Sequence, residues 1–248
     1  MTGFGTWFGR GSLVLAVLLG VLVAVSAGGV PVQRRAAAAP TPEPIALRVM
    51  PLGASSTVGK TSPETAGYRG PLQELLARDG LQVDMVGSQR DKPPRVPDPD
   101  YEGYSGLTLE DMRPKVADWV RRADPDVVLL HAGTNDLLKG RTPEQVARSL
   151  EQVLNEIVSV SDAHVIVAGV WAPLPKHTRQ RAEFNRLSAA VVAGFRERGH
   201  PMRYLDVGQP LEPDELADGL HPNAAGYREI AALWERQILD VIGRRAAA

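Results

Sequence analysis

Hydrophobic and polar residues follow two alternating patterns after residue 45. Short apolar runs predict buried strands, and longer segments with apolar residues every three or four positions predict amphipathic helices. The runs predicted as strands are "IALRVMPL", "VDMVGS", "DVVLLHAG", "HVIVAGV" and "MRYLDVG". Because a helical segment follows each of them, we expect a five-stranded parallel sheet with helices on both faces, which is a flavodoxin-like, three-layer α/β/α domain.

The helical segments have recognisable inner faces and ends. In "GYRGPLQELLARDG" the residues expected to face inward are Leu72, Leu75 and Leu76. Gly80 is expected to end this helix. Thr142 is predicted to cap a later helix, with Glu144 at a distance suited to initiation, and Pro222 is predicted to lie in the first turn of the last helix. The stretch "QRDKPPRVPDPDYEGYSG", rich in proline and charge, is predicted to be a long loop of the kind that carries function.

The first 44 residues differ in composition from the rest of the chain. Arg10 precedes an uncharged run that ends only at Arg34, with small residues around Ala27, which is typical of a secretory signal peptide. The run is also long enough to span a bilayer, so an uncleaved anchor that attaches the protein to a membrane is the alternative. We therefore predict a signal peptide or anchor at 1–27, an Ala/Pro-rich linker at 28–44, and a folded domain at 45–248 of a secreted or membrane-anchored, extracytoplasmic protein.

Composition and charge exclude several classes of function. A chain of 248 residues, 44% hydrophobic and 23% charged, suits one α/β domain. It has no cysteine, which excludes disulfides, thiolate metal sites and cysteine nucleophiles. The formal charge of −1, with no basic run, argues against a nucleic-acid partner. The five histidines are scattered, with no close pair, so we expect no zinc site.

Polar residues follow four of the five predicted strands. Ser55 follows the first strand, Gly106 the second and Asn135 the third, and the pair Asp218 and His221 follows the fifth. Because parallel strands end at the same edge of a sheet, where ligands bind, we expect these residues to meet. Each motif taken alone is equally typical of a turn or a helix start.

Together these residue types have the composition of a hydrolytic site. A serine hydroxyl becomes a nucleophile when an imidazole takes its proton, and a carboxylate must orient that imidazole. This predicts Ser55 as nucleophile, His221 as base and Asp218 as its partner. The amides of Ser55 and Gly106 and the side chain of Asn135 are predicted to stabilise the oxyanion.

Histidine and tryptophan residues near these motifs are given structural interpretations. His131, on an apolar strand, is interpreted as a core histidine with satisfied hydrogen bonds. Trp119 and Trp234 are expected in the core, and Trp171 is expected to line a pocket. Asp136 is expected to support its loop by hydrogen bonds.

The order of the motifs resembles the SGNH (GDSL-type) hydrolase superfamily over residues 46–243. The four blocks are "PLGASSTVG", "EGYSGLT", "GTND" and "DGLHPN", and the detail is most similar to the acetylxylan-esterase-like branch of carbohydrate esterases. The resemblance implies a serine esterase that acts without cofactor or metal on short acetyl esters of a small molecule or polysaccharide. It assigns the same roles to Ser55, Asp218, His221, Gly106 and Asn135.

Three positions depart from the family pattern. Ala54 stands where the family usually has Asp, and Tyr104 and Leu107 stand where its carbohydrate-esterase branch commonly has His and Trp, so we expect an altered pocket. Ser56 is a neighbouring alternative to Ser55 as nucleophile. The alternatives in function are a lipase, phospholipase or thioesterase acting on longer acyl chains, and a catalytically weak carbohydrate-binding surface protein.

Overall fold

The computed structural model describes residues 46–91 and 94–247, so the predicted signal peptide or anchor at 1–27 and the linker at 28–44 lie outside the described residues. The described residues contain seven strands: β1 (Leu47–Gly53), β2 (Val83–Met85), β3 (Gln89–Arg90), β4 (Asp100–Gly103), β5 (Val127–His131), β6 (His164–Ala168) and β7 (Met202–Leu205).

The same residues contain seven α-helices: α1 (Ser55–Val58), α2 (Arg69–Arg78), α3 (Leu109–Ala123), α4 (Thr134–Leu138), α5 (Pro143–Val158), α6 (Thr178–Glu197) and α7 (Ala224–Ala247). Two short 3-10 helices, Pro175–His177 and Pro213–Glu215, precede α6 and α7. None of the helices in the described ranges is both long enough and apolar enough to cross a membrane.

The five predicted strands form a parallel sheet with the order β2-β1-β5-β6-β7. This is the flavodoxin-like order, so the predicted fold class is confirmed. β1 pairs with β5 in a register that ends with Gly53 opposite His131. The carboxyl ends of these two central strands therefore lie side by side, and the segments that follow them start from neighbouring points.

Two apolar layers enclose the sheet. One layer packs α3, α5 and α6 against one face of the sheet, and the other packs α2 and α7 against the opposite face. β5 contributes to both layers, because Val128 and Leu130 belong to the first and Val127 and Leu129 to the second. The continuous apolar character of this strand thus follows from burial on both faces.

The segment predicted as one long loop after β2 contains two short strands. β3 and β4 pair with each other in antiparallel fashion, and β4 then pairs in parallel with the last two residues of β1, Leu52 and Gly53. β2 occupies the first half of that same edge of β1. β3 and β4 therefore extend the sheet beside the end of β1. The loop that contains Gly106 follows directly after β4.

The structure also corrects the predicted starts of two helices. Gln145, and not Glu144, is the reciprocal partner of the cap residue Thr142, because its side chain lies at the third helical position and reaches back to the Thr142 amide. Pro222 lies before α7. The side chain of Asn223 accepts hydrogen bonds from the amides of Ala225 and Gly226, which makes Asn223 the residue that caps this helix.

Candidate active site

Ser55 lies directly beyond β1, at the first position of the short helix α1. The amides of Thr57 and Val58 both donate to the carbonyl of Ala54 at 3.0 Å, which closes the turn that starts at the end of the strand. Gly53 is required here by space, since a Cβ at this position would lie 2.4 Å from the carbonyl oxygen of His131 and 2.5 Å from Thr57 Oγ1. The segment that leads to Ser55 is therefore packed tightly against the end of β5.

His221 and Asp218 approach Ser55 from the loop before α7. His221 Nε2 lies 3.0 Å from Ser55 Oγ, and His221 Nδ1 lies 2.8 Å from Asp218 Oδ2. The structure therefore brings Ser55 together with the predicted pair Asp218 and His221, which lies more than 160 residues further along the chain. The contact of the imidazole is with Ser55, while the neighbouring Ser56 lines the same cleft.

The loop around Asp218 fixes its carboxylate. Asp218 Oδ1 accepts hydrogen bonds from the backbone amide of His221 at 2.8 Å and from that of Leu220 at 3.1 Å. The amide of His221 is the largest of the influences that lower the pKa of Asp218 to about 2. Asp218 is therefore a carboxylate at any pH near neutrality, and it is held where His221 can donate Nδ1–H to it.

Asn135 and Asp136 join the segment after β5 to the segment after β4. Asn135 Nδ2 donates to the carbonyl of Leu107 at 2.9 Å, and Asp136 Oδ2 accepts from the amide of Leu109 at 3.0 Å. Asp136 is fully buried and also accepts from Arg141 at 3.0 Å. Burial raises the pKa of Asp136, while these donors favour its charged form. Asp136 thus supports its loop by hydrogen bonds.

The cleft at Ser55 is small and partly apolar. The empty space in it, open solvent included, is about 350 Å³. It is lined by Ala54, Ser55, Ser56, His131, Ala132, Thr134, Asn135, Ala172, Leu220 and His221. We call this the Ser55 cleft.

Some residues singled out in the sequence lie outside this lining. Gly106 is exposed, with φ at +83°, one residue before the Leu107 carbonyl that accepts from Asn135. Tyr104 stacks on Trp119 with ring centroids 5.3 Å apart and accepts from Gln89 at 2.9 Å. The substitutions at Tyr104 and Leu107 therefore alter the surroundings of the Ser55 cleft and not its walls.

Comparison with known proteins identifies the family. Residues 52–229 match the model of the GDSL-like lipase/acylhydrolase family. The chain belongs to this family. The enzyme class of this family is carboxylic ester hydrolase.

Solved structures and a sequence relative agree with this assignment. A family 3 carbohydrate esterase from Clostridium thermocellum is 31% identical, with a TM-score of 0.73, covering 82% of this chain and 100% of that one. An acetyl esterase mutant solved with an acetate ion is 27% identical, with a TM-score of 0.69, and the match covers 80% of this chain and 99% of that one. A multidomain esterase from Ruminococcus flavefaciens is 26% identical over 224 residues, which are 77% of this chain and 28% of that protein. The chain thus spans little more than a quarter of that relative.

In this GDSL-like hydrolase, His131 differs from its interpretation as a satisfied core residue. It is buried and stacks on Trp171 with ring centroids 3.4 Å apart, but within the described residues neither of its ring nitrogens has a hydrogen-bond partner. Burial lowers the pKa of His131 to about 3, so the ring is neutral. Trp171 is itself buried in the core, so its indole does not line the Ser55 cleft; it borders a separate groove that contains Pro210.

The side chains of the described residues define the chemical groups that the site offers. Among them, no group of three or more histidine, aspartate or glutamate side chains is placed to hold a metal ion. The groups that line the Ser55 cleft include the hydroxyl of Ser55, the imidazole of His221 and the side-chain amide of Asn135. This set suits acyl transfer through a serine.

Proposed function

We propose that this hydrolase cleaves short-chain esters, foremost acetyl esters of carbohydrates, through Ser55, His221 and Asp218. The observation that carries the proposal is the continuous line of contacts from Ser55 Oγ to His221 at 3.0 Å and from His221 to Asp218 at 2.8 Å. A nucleophile, its base and the orienting group of the base stand in the order that serine hydrolysis requires.

In this mechanism His221 Nε2 takes the proton as Ser55 Oγ attacks the ester carbonyl carbon. Asp218 holds the imidazole in one tautomer and stabilises the imidazolium that forms. The amides of Ser55 and Gly106 and the side chain of Asn135 donate to the oxyanion. His221 then protonates the leaving alcohol, and water, activated by His221, releases the acid from Ser55.

Two observations favour a short acyl group. The Ser55 cleft has an empty volume of about 350 Å³ and is walled by Ala54, Ala132 and Ala172. The relatives are named a family 3 carbohydrate esterase and an acetyl esterase, the latter with an acetate ion. Both point to acetyl esters, and the first of these names points to a carbohydrate as the alcohol.

Hydrolysis of longer acyl chains is a second candidate. It is favoured by a wider groove of about 1050 Å³ beside α1, whose mostly apolar walls include Val58, Pro63 and Ala66. A longer acyl chain that reached this groove would gain from burying its apolar surface against these walls.

The proposal is tested with p-nitrophenyl esters from acetate to palmitate. The purified protein is expected to hydrolyse acetate fastest, and Ser55→Ala is expected to lower kcat by at least about 10⁴-fold. Ser56→Ala is the matched control and is expected to retain most of the rate. A preference for long chains would favour the second candidate. Equal, negligible rates for wild type and Ser55→Ala, together with retained polysaccharide binding, would favour the carbohydrate-binding alternative.

We also propose that residues 1–27 direct export, because Arg10 and the uncharged run after it have the composition of a signal peptide. N-terminal sequencing of protein recovered from the culture medium is expected to begin near Gly28. An intact N-terminus in the membrane fraction would instead indicate an anchor.

A further inference from the structure

A charged side chain is buried behind the nucleophile helix. Arg69, the first residue of α2, has no exposed surface, and its side chain shares the inner face of this helix with Leu72 and Leu76. The carboxylate nearest to it, at 3.9 Å, belongs to Asp91, whose side chain is about half exposed. Burying a cation without a close buried carboxylate is costly unless its donors are satisfied. The other hydrogen bonds of Arg69 must therefore satisfy its donors and offset the cost of burying its charge.

Those contacts are backbone carbonyls from two segments of the candidate site. Arg69 Nε donates to the carbonyl of Thr57 at 3.0 Å, and Nη2 donates to that of Val58 at 3.4 Å. Nη1 donates to the carbonyl of Pro99 at 2.8 Å, and the guanidinium lies 3.7 Å from the centre of the Tyr101 ring. One planar group thus joins the end of α1 to the start of β4.

The carbonyls at the end of α1 need such a donor. The amide of Gly59 already donates to the carbonyls of Ser55 and Ser56, and the next two carbonyls of the helix, those of Thr57 and Val58, accept from Arg69. The last carbonyls of a helix have no partner within the helix, and a cation placed there is favourable. A guanidinium offers several donors in a fixed plane, which one ammonium cannot reproduce across two segments.

We infer that Arg69 is a positioning residue for ester hydrolysis, which holds α1, and with it Ser55, in a fixed position against β4. The inference rests on the proposed function, because it assumes that Ser55 is the nucleophile. Arg69 acts at a distance from the reacting atoms: Ser55 begins the four-residue helix whose end Arg69 binds, and β4 leads directly to the segment that contains Gly106. A displacement of α1 would change the alignment of Ser55 Oγ with His221 Nε2.

Arg48 provides a matched control at the opposite end of β1. Its guanidinium also donates to two carbonyls at the end of a helix, those of Ala123 at 2.8 Å and Asp124 at 2.9 Å. It lies near the amino end of β1, away from Ser55. Arg48→Met therefore removes similar hydrogen bonds without touching the candidate site.

The test compares Arg69→Met, Arg69→Lys and Arg48→Met in the whole protein. The folded fraction is measured by circular dichroism, and competent sites are counted with a serine-directed phosphonate. Per competent site, Arg69→Met is expected to lower kcat for p-nitrophenyl acetate by about 10²-fold with KM nearly unchanged, because small misalignments of reacting groups have effects of this size. Arg69→Lys is expected to fall between Arg69→Met and wild type, and Arg48→Met to keep the wild-type kcat.

Several outcomes would overturn the inference. One is a kcat per competent site in Arg69→Met that equals the wild-type value, which would leave Arg69 a purely structural role. An equal loss of kcat in Arg48→Met would have the same effect. If Arg69→Met does not fold, a wild-type kcat in Arg69→Lys decides against positioning. Failure of the proposed function is distinguishable, because wild type itself would then release no p-nitrophenol above the level of Ser55→Ala.

Discussion

Asn135 has one amide donor engaged by the fold and, in the proposed mechanism, a second one for the substrate. One hydrogen of its amide group is donated to the Leu107 carbonyl at 2.9 Å, and the residue also lines the Ser55 cleft, where we propose that its second hydrogen is donated to the oxyanion. The contact with Leu107 restricts rotation of the side chain, so the second donor is oriented before substrate arrives. Such preorganisation is what makes an oxyanion donor effective.

We expect Asn135→Ala to lower kcat for p-nitrophenyl acetate by about 10²- to 10³-fold, the usual effect of removing one oxyanion donor. KM should change little, because the charge that Asn135 stabilises develops only in the transition state. Steady-state kinetics on both proteins measure the two constants separately. A variant in which KM rises and kcat is kept would assign Asn135 to substrate binding.

Individual residues differed in how well the sequence revealed them. The meeting of Ser55, Asn135 and His221 in one cleft could be predicted, because each follows a predicted strand and carries a group that serine chemistry needs. Arg69 carried a weaker signal, a charged residue three and seven positions before Leu72 and Leu76 on an apolar helix face. Its partners are carbonyls of α1 and of the segment before β4, which no local pattern places beside α2.

At the scale of elements, α3 and α5 begin with the same device. Thr108 and Thr142 each accept a hydrogen bond from the amide three residues on, and the side chains at those positions, Asp111 and Gln145, reach back to the cap amides. The surroundings differ, because Thr108 lies two residues after Gly106 whereas Thr142 lies between α4 and α5. A comparison of the two caps therefore distinguishes the contribution that a cap makes to stability from its effect on the candidate site.

Thr108→Ala and Thr142→Ala are each expected to lower the free energy of unfolding by about 1 kcal/mol, the usual contribution of a cap. Only Thr108→Ala is expected to lower kcat as well, because the loosened start of α3 adjoins Gly106 and the Leu107 carbonyl that fixes Asn135. Urea unfolding and ester hydrolysis measure the two effects. Equal retention of kcat in both variants would contradict a link between the α3 cap and the site.

The long elements were predictable and the short ones were not. Strands such as β5 and helices such as α5 have enough residues for a hydrophobic pattern to stand out. β4 pairs with β1 through two residues only, and the proline-rich sequence before it gives no strand pattern. Short elements of this kind form because neighbouring segments are already in place, so tertiary contacts decide them.

For the molecule as a whole, His131 links stability to pH. Its ordinary pKa of 6.5 applies to the unfolded chain, and burial lowers the pKa to about 3 in the folded protein. Between these values the unfolded chain binds a proton that the folded protein does not bind. Stability therefore falls as pH falls through this window, by up to about 1.4 kcal/mol for each pH unit from this residue.

We expect His131→Phe to remove that part of the pH dependence, since a phenyl ring can stack on Trp171 and does not titrate. Unfolding free energies of wild type and variant, measured between pH 4 and pH 7, should diverge in favour of the variant as the pH falls. Curves that stay parallel throughout this range would show that His131 is protonated equally in the folded and unfolded states.

The hydrogen bond between Ser55 and His221 joins positions 166 residues apart, and α7 begins three residues after His221. A nascent chain leaving the ribosome therefore carries Ser55 long before it carries His221. The core partner that α2 finds in α7 also follows β7 in the chain and is synthesised well after α2. Under the proposed mechanism, ester hydrolysis thus requires that the segment before α7 has been synthesised and placed beside Ser55.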